Sequence, residues 1–127
     1  FFVARKDAPA AIAALEKIAP QINAILWVTE IRAISADDLW MSPHYQRDSI
    51  GIHFTWKKVD AVYEMVKVVE ATLAPFGYRP HLGKVFSASP DYFKSVMPKF
   101  EDFKKLVTEI DPTNKFGNEF TNRLMGR

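Results

Sequence analysis

The sequence contains no cysteine in its 127 residues, and this absence excludes several kinds of site. It leaves no disulfide framework, no thiolate nucleophile and no cysteine-ligated zinc or iron–sulfur cluster. His53 and His81 lack the spacing of metal ligands, so no metal site is predicted. The chain has no apolar run close to the ~20 residues that cross a bilayer. We therefore predict a protein without a membrane span, with a cytoplasmic location as the default.

The sequence also has no large excess of positive or negative charge. The 17 Lys and Arg nearly balance the 15 Asp and Glu, and no block of like charge interrupts the chain. A protein that follows a phosphate backbone needs a basic patch, so this balance gives no reason to predict nucleic-acid binding. There is no glycine-rich phosphate loop either.

Apolar and aromatic side chains, by contrast, are plentiful. Hydrophobic residues make up 48% of the chain and include ten Phe, which is enough for a buried core at this length. The length fits a single domain that covers residues 1–127. The chain begins with Phe1-Phe2-Val3, without Met and as if inside a strand, which predicts that it is a piece of a longer protein.

The hydrophobic periodicity alternates between strand and helix patterns along the chain. The predicted strands cover residues 1–5, 24–35, 49–56 and 78–86, and the predicted helices cover residues 7–19, 59–74 and 98–110. The first six elements follow the split βαβ order. The predicted fold is therefore α+β, with a ferredoxin-like antiparallel sheet, helices on one of its faces, and an extra C-terminal helix.

Polar side chains of the second and third strands share one face of the predicted sheet. Successive side chains in a strand point to opposite faces, so residue parity assigns each side chain to a face. By this parity Glu30 and Arg32 lie with His53 and Thr55 on the open face. The helix-covered face receives the aromatic residues Trp27, Phe54 and Trp56.

Two interpretations of the open face follow from the residues alone. It is a plain solvated face, as antiparallel sheets commonly have, or it is a small-molecule pocket or a domain interface. The same parity includes the apolar residues Leu26, Val28 and Ile34, which suit a covered surface. Gly51 also lies on this face and leaves room for a close approach. These features favour the pocket.

Five short motifs occur in order along most of the chain. They are Thr29-Glu30-Ile31-Arg32, Asp37-Asp38-Leu39-Trp40-Met41-Ser42-Pro43, His53-Phe54-Thr55-Trp56, Arg79-Pro80-His81-Leu82-Gly83-Lys84 and Asp111-Pro112-Thr113-Asn114-Lys115-Phe116. Together they resemble the C-terminal part of FAD-linked sugar-alcohol oxidases, the alditol and xylitol oxidases. These belong with the aldonolactone oxidases and dehydrogenases in the vanillyl-alcohol oxidase superfamily. The fourth motif resembles the family's His-Trp-x-Lys sequence, with Leu82 in place of Trp.

The resemblance implies a larger flavoenzyme of which residues 1–127 are the C-terminal substrate domain. An N-terminal domain, absent from this sequence, holds most of the FAD. The implied reaction is oxidation of a CH–OH group of a sugar alcohol or sugar lactone by hydride transfer to flavin, with O2 as acceptor and H2O2 as product. The 127-residue chain alone is then expected to be inactive and to bind FAD weakly or not at all.

The resemblance also assigns roles to six residues. Glu30, Arg32, Thr55 and Lys84 fall on positions that bind substrate. Glu30, Arg32, His53 and Lys84 are the implied catalytic residues, with His53 as a base or an orienting group. Arg32, His81 and Lys84 are implied to contact the cofactor. Charged and hydroxyl side chains suit a polyol because they make charge-assisted hydrogen bonds to its hydroxyls.

Two alternatives belong to other functional classes. The first is a non-catalytic ferredoxin-like module that uses the open face to bind a ligand or a second copy. The second is RNA binding on the sheet, which needs aromatic rings on the open face for base stacking. The placement of Trp27, Phe54 and Trp56 under the helices argues against RNA, as does the charge of Glu30.

Overall fold

The computed structural model describes residues 1–126 and has an α+β fold. Its strands are β1 (Phe2–Ala4), β2 (Leu26–Ile34) and β3 (Ser49–Trp56). Its helices are α1 (Ala8–Glu16), α2 (Ala19–Asn23), α3 (Ala61–Leu73), α4 (Pro90–Val96), α5 (Phe100–Ile110) and α6 (Glu119–Met125), and short 3₁₀ turns cover Arg5–Asp7 and Ala74–Phe76. Within residues 1–126 no helix combines the length and the apolar character needed to cross a membrane.

The three strands form one antiparallel sheet in the order β1-β3-β2. The predicted fourth strand, residues 78–86, is wrong as a strand: it is reduced to one antiparallel bridge between Arg79 and Phe2, on the outer side of β1. Pro80 follows with no N–H to extend the ladder, and the chain then turns at Leu82 and Gly83. The α+β class is confirmed, and the strand order with this bridge is compatible with the split βαβ arrangement.

The first core lies between the sheet and helices α1 and α3. It joins Val3 of β1 and Ile52 of β3 to Ala11 and Leu15 of α1 and Val69 of α3, all buried. Helix α1 is shorter than the predicted helix of residues 7–19. It ends at Glu16, and Pro20 lies in the first turn of α2, where its missing N–H costs nothing.

The second core is built by α4, α5 and α6. It consists of buried apolar residues that approach from all three helices and from the segment before them: Phe86, Phe93, Met97, Phe100, Leu124 and Met125. Helices α4 and α6 were not predicted. Ser89 caps α4 by accepting a hydrogen bond from the N–H of Tyr92, and Asn118 caps α6 through a reciprocal pair with Thr121.

Strand β2 is the edge of the sheet, and this changes the predicted assignment of faces. The register with β3 is interrupted between Leu26 and Val28, so Trp27 is the extra residue of a bulge. Trp27 is 72% exposed, and its predicted place under the helices is wrong. Leu26, predicted for the open face, instead packs against the first core. Phe54 and Trp56 do pack against that core, as predicted.

Candidate functional site

Glu30 and His53 face each other across β2 and β3. They are directly opposite in the antiparallel register, so both side chains lie on the open face of the sheet. The His53 Nδ1 is 3.1 Å from the Glu30 Oε2, and the Arg32 Nη2 donates to the same oxygen at 2.7 Å. The hydrogen bond from His53 and then the charge of Arg32 lower the pKa of Glu30. Glu30 is therefore an ionised acceptor at neutral pH.

An ionised carboxylate only accepts hydrogen bonds, so His53 must donate from Nδ1. In the neutral imidazole the Nε2 then carries the lone pair, and its direction is set by the contact with Glu30. Within residues 1–126 the Oε1 of Glu30 has no hydrogen-bond partner, since both contacts use Oε2. The cluster thus has an oriented base and an oxygen that can accept from a hydroxyl.

A cavity of about 370 Å³ opens beside this cluster. Its polar lining comes from Arg32 and His53 on the sheet and from His81 and Lys84 on the segment after the Arg79 bridge. Glu30 contacts Arg32 and His53 but does not line the cavity itself. Four of the six predicted site residues therefore line one cavity, with Glu30 at its border.

Thr55 is the sixth predicted residue, and the structure does not bring it to the cavity. It lies on the same face as His53, two residues further along β3, and it is exposed opposite Val28. A substrate that contacts both Thr55 and Lys84 would have to extend beyond the cavity along the open face.

His81 and Lys84 lie on a tight turn. The Nδ1 of His81 accepts from the N–H of Gly83 at 3.0 Å, and the Lys84 N–H donates to the carbonyl of His81 at 3.0 Å. The neutral ring therefore has its proton on Nε2. Burial, and then the charge of Lys84, lower the pKa of His81. Within residues 1–126 the Nζ of Lys84 has no hydrogen-bond partner, so this cation is available to a ligand.

Two buried charged residues, Arg79 and Glu70, anchor this segment, and the sequence predicted a role for neither. Arg79 donates from Nε to the carbonyl of Val96 at 2.7 Å, and from Nη1 to the carbonyls of Pro43 and Tyr45 at 3.1 and 3.0 Å. Glu70 of α3 accepts from the N–H and the hydroxyl of Ser87. The fourth motif begins with Arg79 but points to no role for it, and Glu70 lies in none of the five motifs. A lone charge in an apolar pattern is ordinarily exposed, so the pattern does not predict that either residue is buried.

Gly51 lies in the lining of the cavity, and the close approach expected beside it is made by the ring of Phe2. Phe2 lies directly opposite Gly51 in the register, and a Cβ on Gly51 would stand 3.0 Å from the Phe2 ring and 3.2 Å from Ile34. The ring of Phe2 fills that space and forms part of the cavity wall. A large aromatic opposite a glycine was the available signal for this residue.

Leu82, which replaces the Trp of the motif, is not among the residues that line the cavity. It is partly buried and packs against the second core. Within residues 1–126, no group of three His, Asp or Glu side chains is arranged to hold a metal ion.

Comparison with known proteins places this chain in a family. The sequence profile of the D-arabinono-1,4-lactone oxidase family matches residues 2–124. The chain belongs to this family. The relationship predicted from the five motifs is thus confirmed.

Individual relatives of this family member include both oxidases and a dehydrogenase. The chain is 35% identical to the alditol oxidase of a Streptomyces species, over 98% of this chain and 30% of that protein. It is 28% identical to the L-gulonolactone oxidase of Mus musculus, over 75% of this chain and 22% of that protein. It is 26% identical to the L-gulono-1,4-lactone dehydrogenase of Mycobacterium tuberculosis, over 80% of this chain and 24% of that protein. The chain spans less than a third of the length of these relatives.

Proposed function

We propose that residues 1–127 are the substrate domain of an FAD-dependent oxidoreductase that oxidises a CH–OH group of a sugar alcohol or an aldonolactone. The observation that carries this proposal is the Glu30–Arg32–His53 cluster beside a cavity that also presents His81 and Lys84. Membership of the D-arabinono-1,4-lactone oxidase family, and the names of the relatives, support the same chemistry.

In this proposal Glu30 and Arg32 orient the substrate. The free Oε1 of Glu30 accepts a hydrogen bond from one substrate hydroxyl, and the exposed guanidinium of Arg32 donates to another. Oxidation of a carbinol to a carbonyl removes a hydride from carbon and a proton from oxygen. The Nε2 of His53 accepts that proton. The Nδ1–H of the ring donates to Glu30, so the lone pair on Nε2 is free for this role. Thr55 binds a hydroxyl further along the face.

The donors around the cavity fit the electron-accepting edge of a flavin. FAD, when bound, supplies the hydride acceptor, and O2 as the final acceptor of the two electrons gives H2O2. Arg32 and Lys84 would hold that edge by their positive charge, and His81 would donate from Nε2. The rest of the FAD would be held by an N-terminal domain of the parent protein. A cytoplasmic location stays a prediction.

A second candidate function is favoured by the free edge of β2. Trp27, Val28 and Ile31 are exposed apolar residues on a strand whose outer ladder groups have no strand partner within residues 1–126. Such an edge can pair with another strand. In this alternative the chain is a non-catalytic dimerisation module, and it forms a stable symmetric dimer in size-exclusion chromatography with light scattering.

The decisive experiment uses the full-length parent protein. Xylitol, sorbitol and an aldonolactone are added in turn under anaerobic conditions, and the visible flavin absorbance is followed. We expect one compound to bleach the absorbance, and air to restore it with formation of H2O2. A colourless protein that takes up no added FAD would contradict the proposal and leave the module as the better account.

Variants of the cluster then test the assigned roles. His53→Asn should lower the rate constant of flavin reduction ~100-fold or more, as loss of a general base does. Glu30→Gln should lower it as well and should change its dependence on pH. Glu64→Gln is the matched control, because Glu64 makes a 2.7 Å ion pair with Lys67 on the exposed face of α3, as Glu30 does with Arg32. It should leave the rate unchanged.

The 127-residue chain provides a further test. We propose that it binds FAD weakly or not at all and oxidises no polyol, because its cavity presents contacts for only one edge of the cofactor. Equilibrium dialysis with FAD measures this directly. Tight stoichiometric binding would show that the chain carries a complete cofactor site.

A further inference from the structure

The backbone of Phe2 is fixed between two neighbouring segments. Its N–H donates to the carbonyl of Arg79 at 2.9 Å, and its carbonyl accepts from the Arg79 N–H at 2.8 Å. The half-buried guanidinium of Arg47 donates to the same carbonyl at 3.1 Å. On its other side Phe2 is paired with Gly51 of β3. The Cα–Cβ direction of this residue is therefore determined by the sheet.

The ring of Phe2 is fixed as well. Its centroid is 4.5 Å from that of His44, at an angle of 83°, and 5.9 Å from that of His81, at an angle of 30°. Below it the ring covers Gly51 so closely that an added Cβ would lie 3.0 Å away. An aromatic residue that covers a cross-strand glycine stabilises the strand pair. His44, His81 and Gly51 thus restrict the ring on three sides, and its remaining side faces the cavity.

The cavity consequently has a rigid apolar wall and a polar one. Phe2 lines the cavity together with Arg32, His53 and Lys84, which carry its hydrogen-bonding groups. A substrate hydroxyl pressed against Phe2 would lose its partners in water and gain none. An acyclic polyol can rotate its single bonds so that its hydroxyls face the polar groups and its C–H edge faces Phe2. A lactone ring is wider than an extended chain, so it needs more room between Phe2 and the polar groups.

We propose that Phe2 limits the width of this cavity and makes it select an extended sugar alcohol over a ring-shaped aldonolactone. This inference rests on the proposed function, since it names the substrate class of the same site. Phe2 acts through shape, as a specificity-determining residue, and takes no part in the proton or hydride transfer. We therefore expect a Phe2 substitution to change the kcat/KM for the lactone relative to that for the polyol.

Two substitutions at one contact should move this ratio in opposite directions. In the full-length parent protein, Phe2→Ala removes the wall and should raise the kcat/KM for the lactone relative to the polyol about tenfold, the size of discrimination that pocket shape supplies. Gly51→Ala places a methyl group under the ring, presses the ring into the cavity, and should lower the same ratio. Tyr63→Ala removes an exposed aromatic on α3 and is the control that changes nothing.

A binding measurement separates this inference from the proposed function. The parent protein is reduced, kept anaerobic, and melted with excess polyol or lactone, so that the rise in Tm reports binding without turnover. Phe2→Leu is included with Phe2→Ala, so that one folded variant with a smaller wall is available. If neither compound reduces the wild-type flavin, the proposed function fails. The rise in Tm with the lactone, divided by the rise with the polyol, still tests whether Phe2 selects between them. Ratios that stay within twofold of wild type in a folded Phe2 variant would overturn the inference.

Discussion

Replacement of Arg79 by methionine would test whether one buried guanidinium holds together the segments that support the site. The side chain is only 6% exposed, and burial lowers its pKa, although an arginine stays charged at neutral pH. Its three hydrogen bonds reach the carbonyls of Pro43 and Tyr45 in the β2–β3 connection and of Val96 in α4. Its backbone bridge to Phe2 uses no atom of the side chain.

The expected change in the free energy of unfolding follows from the hydrogen bonds that methionine cannot make. Methionine keeps the length and apolar volume but donates nothing, so three carbonyls lose their partner, at ~1–3 kcal/mol each. The variant also avoids the desolvation of a buried cation, which costs several kcal/mol and offsets part of this loss. We expect a net destabilisation of about 3 kcal/mol for Arg79→Met. Arg79→Lys should lose about 1–2 kcal/mol, because a single Nζ reaches one of the two segments but lacks the fork of the guanidinium.

Urea denaturation of the 127-residue chain, followed by tryptophan fluorescence, measures these differences as shifts of the midpoint at constant slope. Arg5→Met is the control, since Arg5 is exposed, and it should stay within about 0.5 kcal/mol of wild type. An Arg79→Met chain that unfolds at the wild-type midpoint with an unchanged slope would refute the reasoning, because the three carbonyls would then be satisfied without the guanidinium.

Three further predictions concern stability. Burial lowers the pKa of His44 and of His81, so the unfolded chain takes up protons first as the pH falls below about 6.5. The free energy of unfolding should therefore decrease from about pH 8 to about pH 5.5. Urea denaturation at these two pH values should show a smaller decrease for His44→Gln than for the wild type. Gly77 ends its 3₁₀ turn with φ of 55° in open surroundings, so Gly77→Ala should cost about 1 kcal/mol from backbone strain alone, measured in the same way. Phe93 is fully buried in the second core, and Phe93→Ala should cost about 3–5 kcal/mol, whereas Phe116→Ala, at an exposed position, should leave the thermal midpoint unchanged.

The strands that carry the site could be predicted from sequence because alternation is a strong signal where one face is buried. The predicted strand of residues 49–56 coincides with β3, whose apolar parity packs against the first core. The same parity placed Glu30 and His53 on one face, and the register puts them directly opposite each other. Alternation failed at Trp27 because a bulge adds one residue without a local sequence signature.

Other parts of the fold depend on interactions that a linear pattern does not contain. Helix α6 is held by the Asn118 cap and by Leu124 in the second core, but seven residues are too few for a clear helical period. His81 and Lys84 were predicted as site residues only through the resemblance, since nothing in their spacing brings the turn after the Arg79 bridge beside the open face. The Arg79 bridge to Phe2 makes that approach, and it joins residues that are far apart in the chain.

The position of the site on an exposed strand also determines how its variants can be interpreted. Glu30, Arg32 and His53 keep 46%, 68% and 39% of their side-chain surface exposed, and ion pairs of this kind contribute little to stability. Substitutions in the cluster should therefore change flavin reduction while the melting temperature stays constant. Arg79, by contrast, is buried, and its loss should lower stability and, through the displaced turn, activity together. A cluster variant that loses both at once would show that Glu30, Arg32 and His53 stabilise the fold, and its lost activity would then be no evidence for a role in the chemistry.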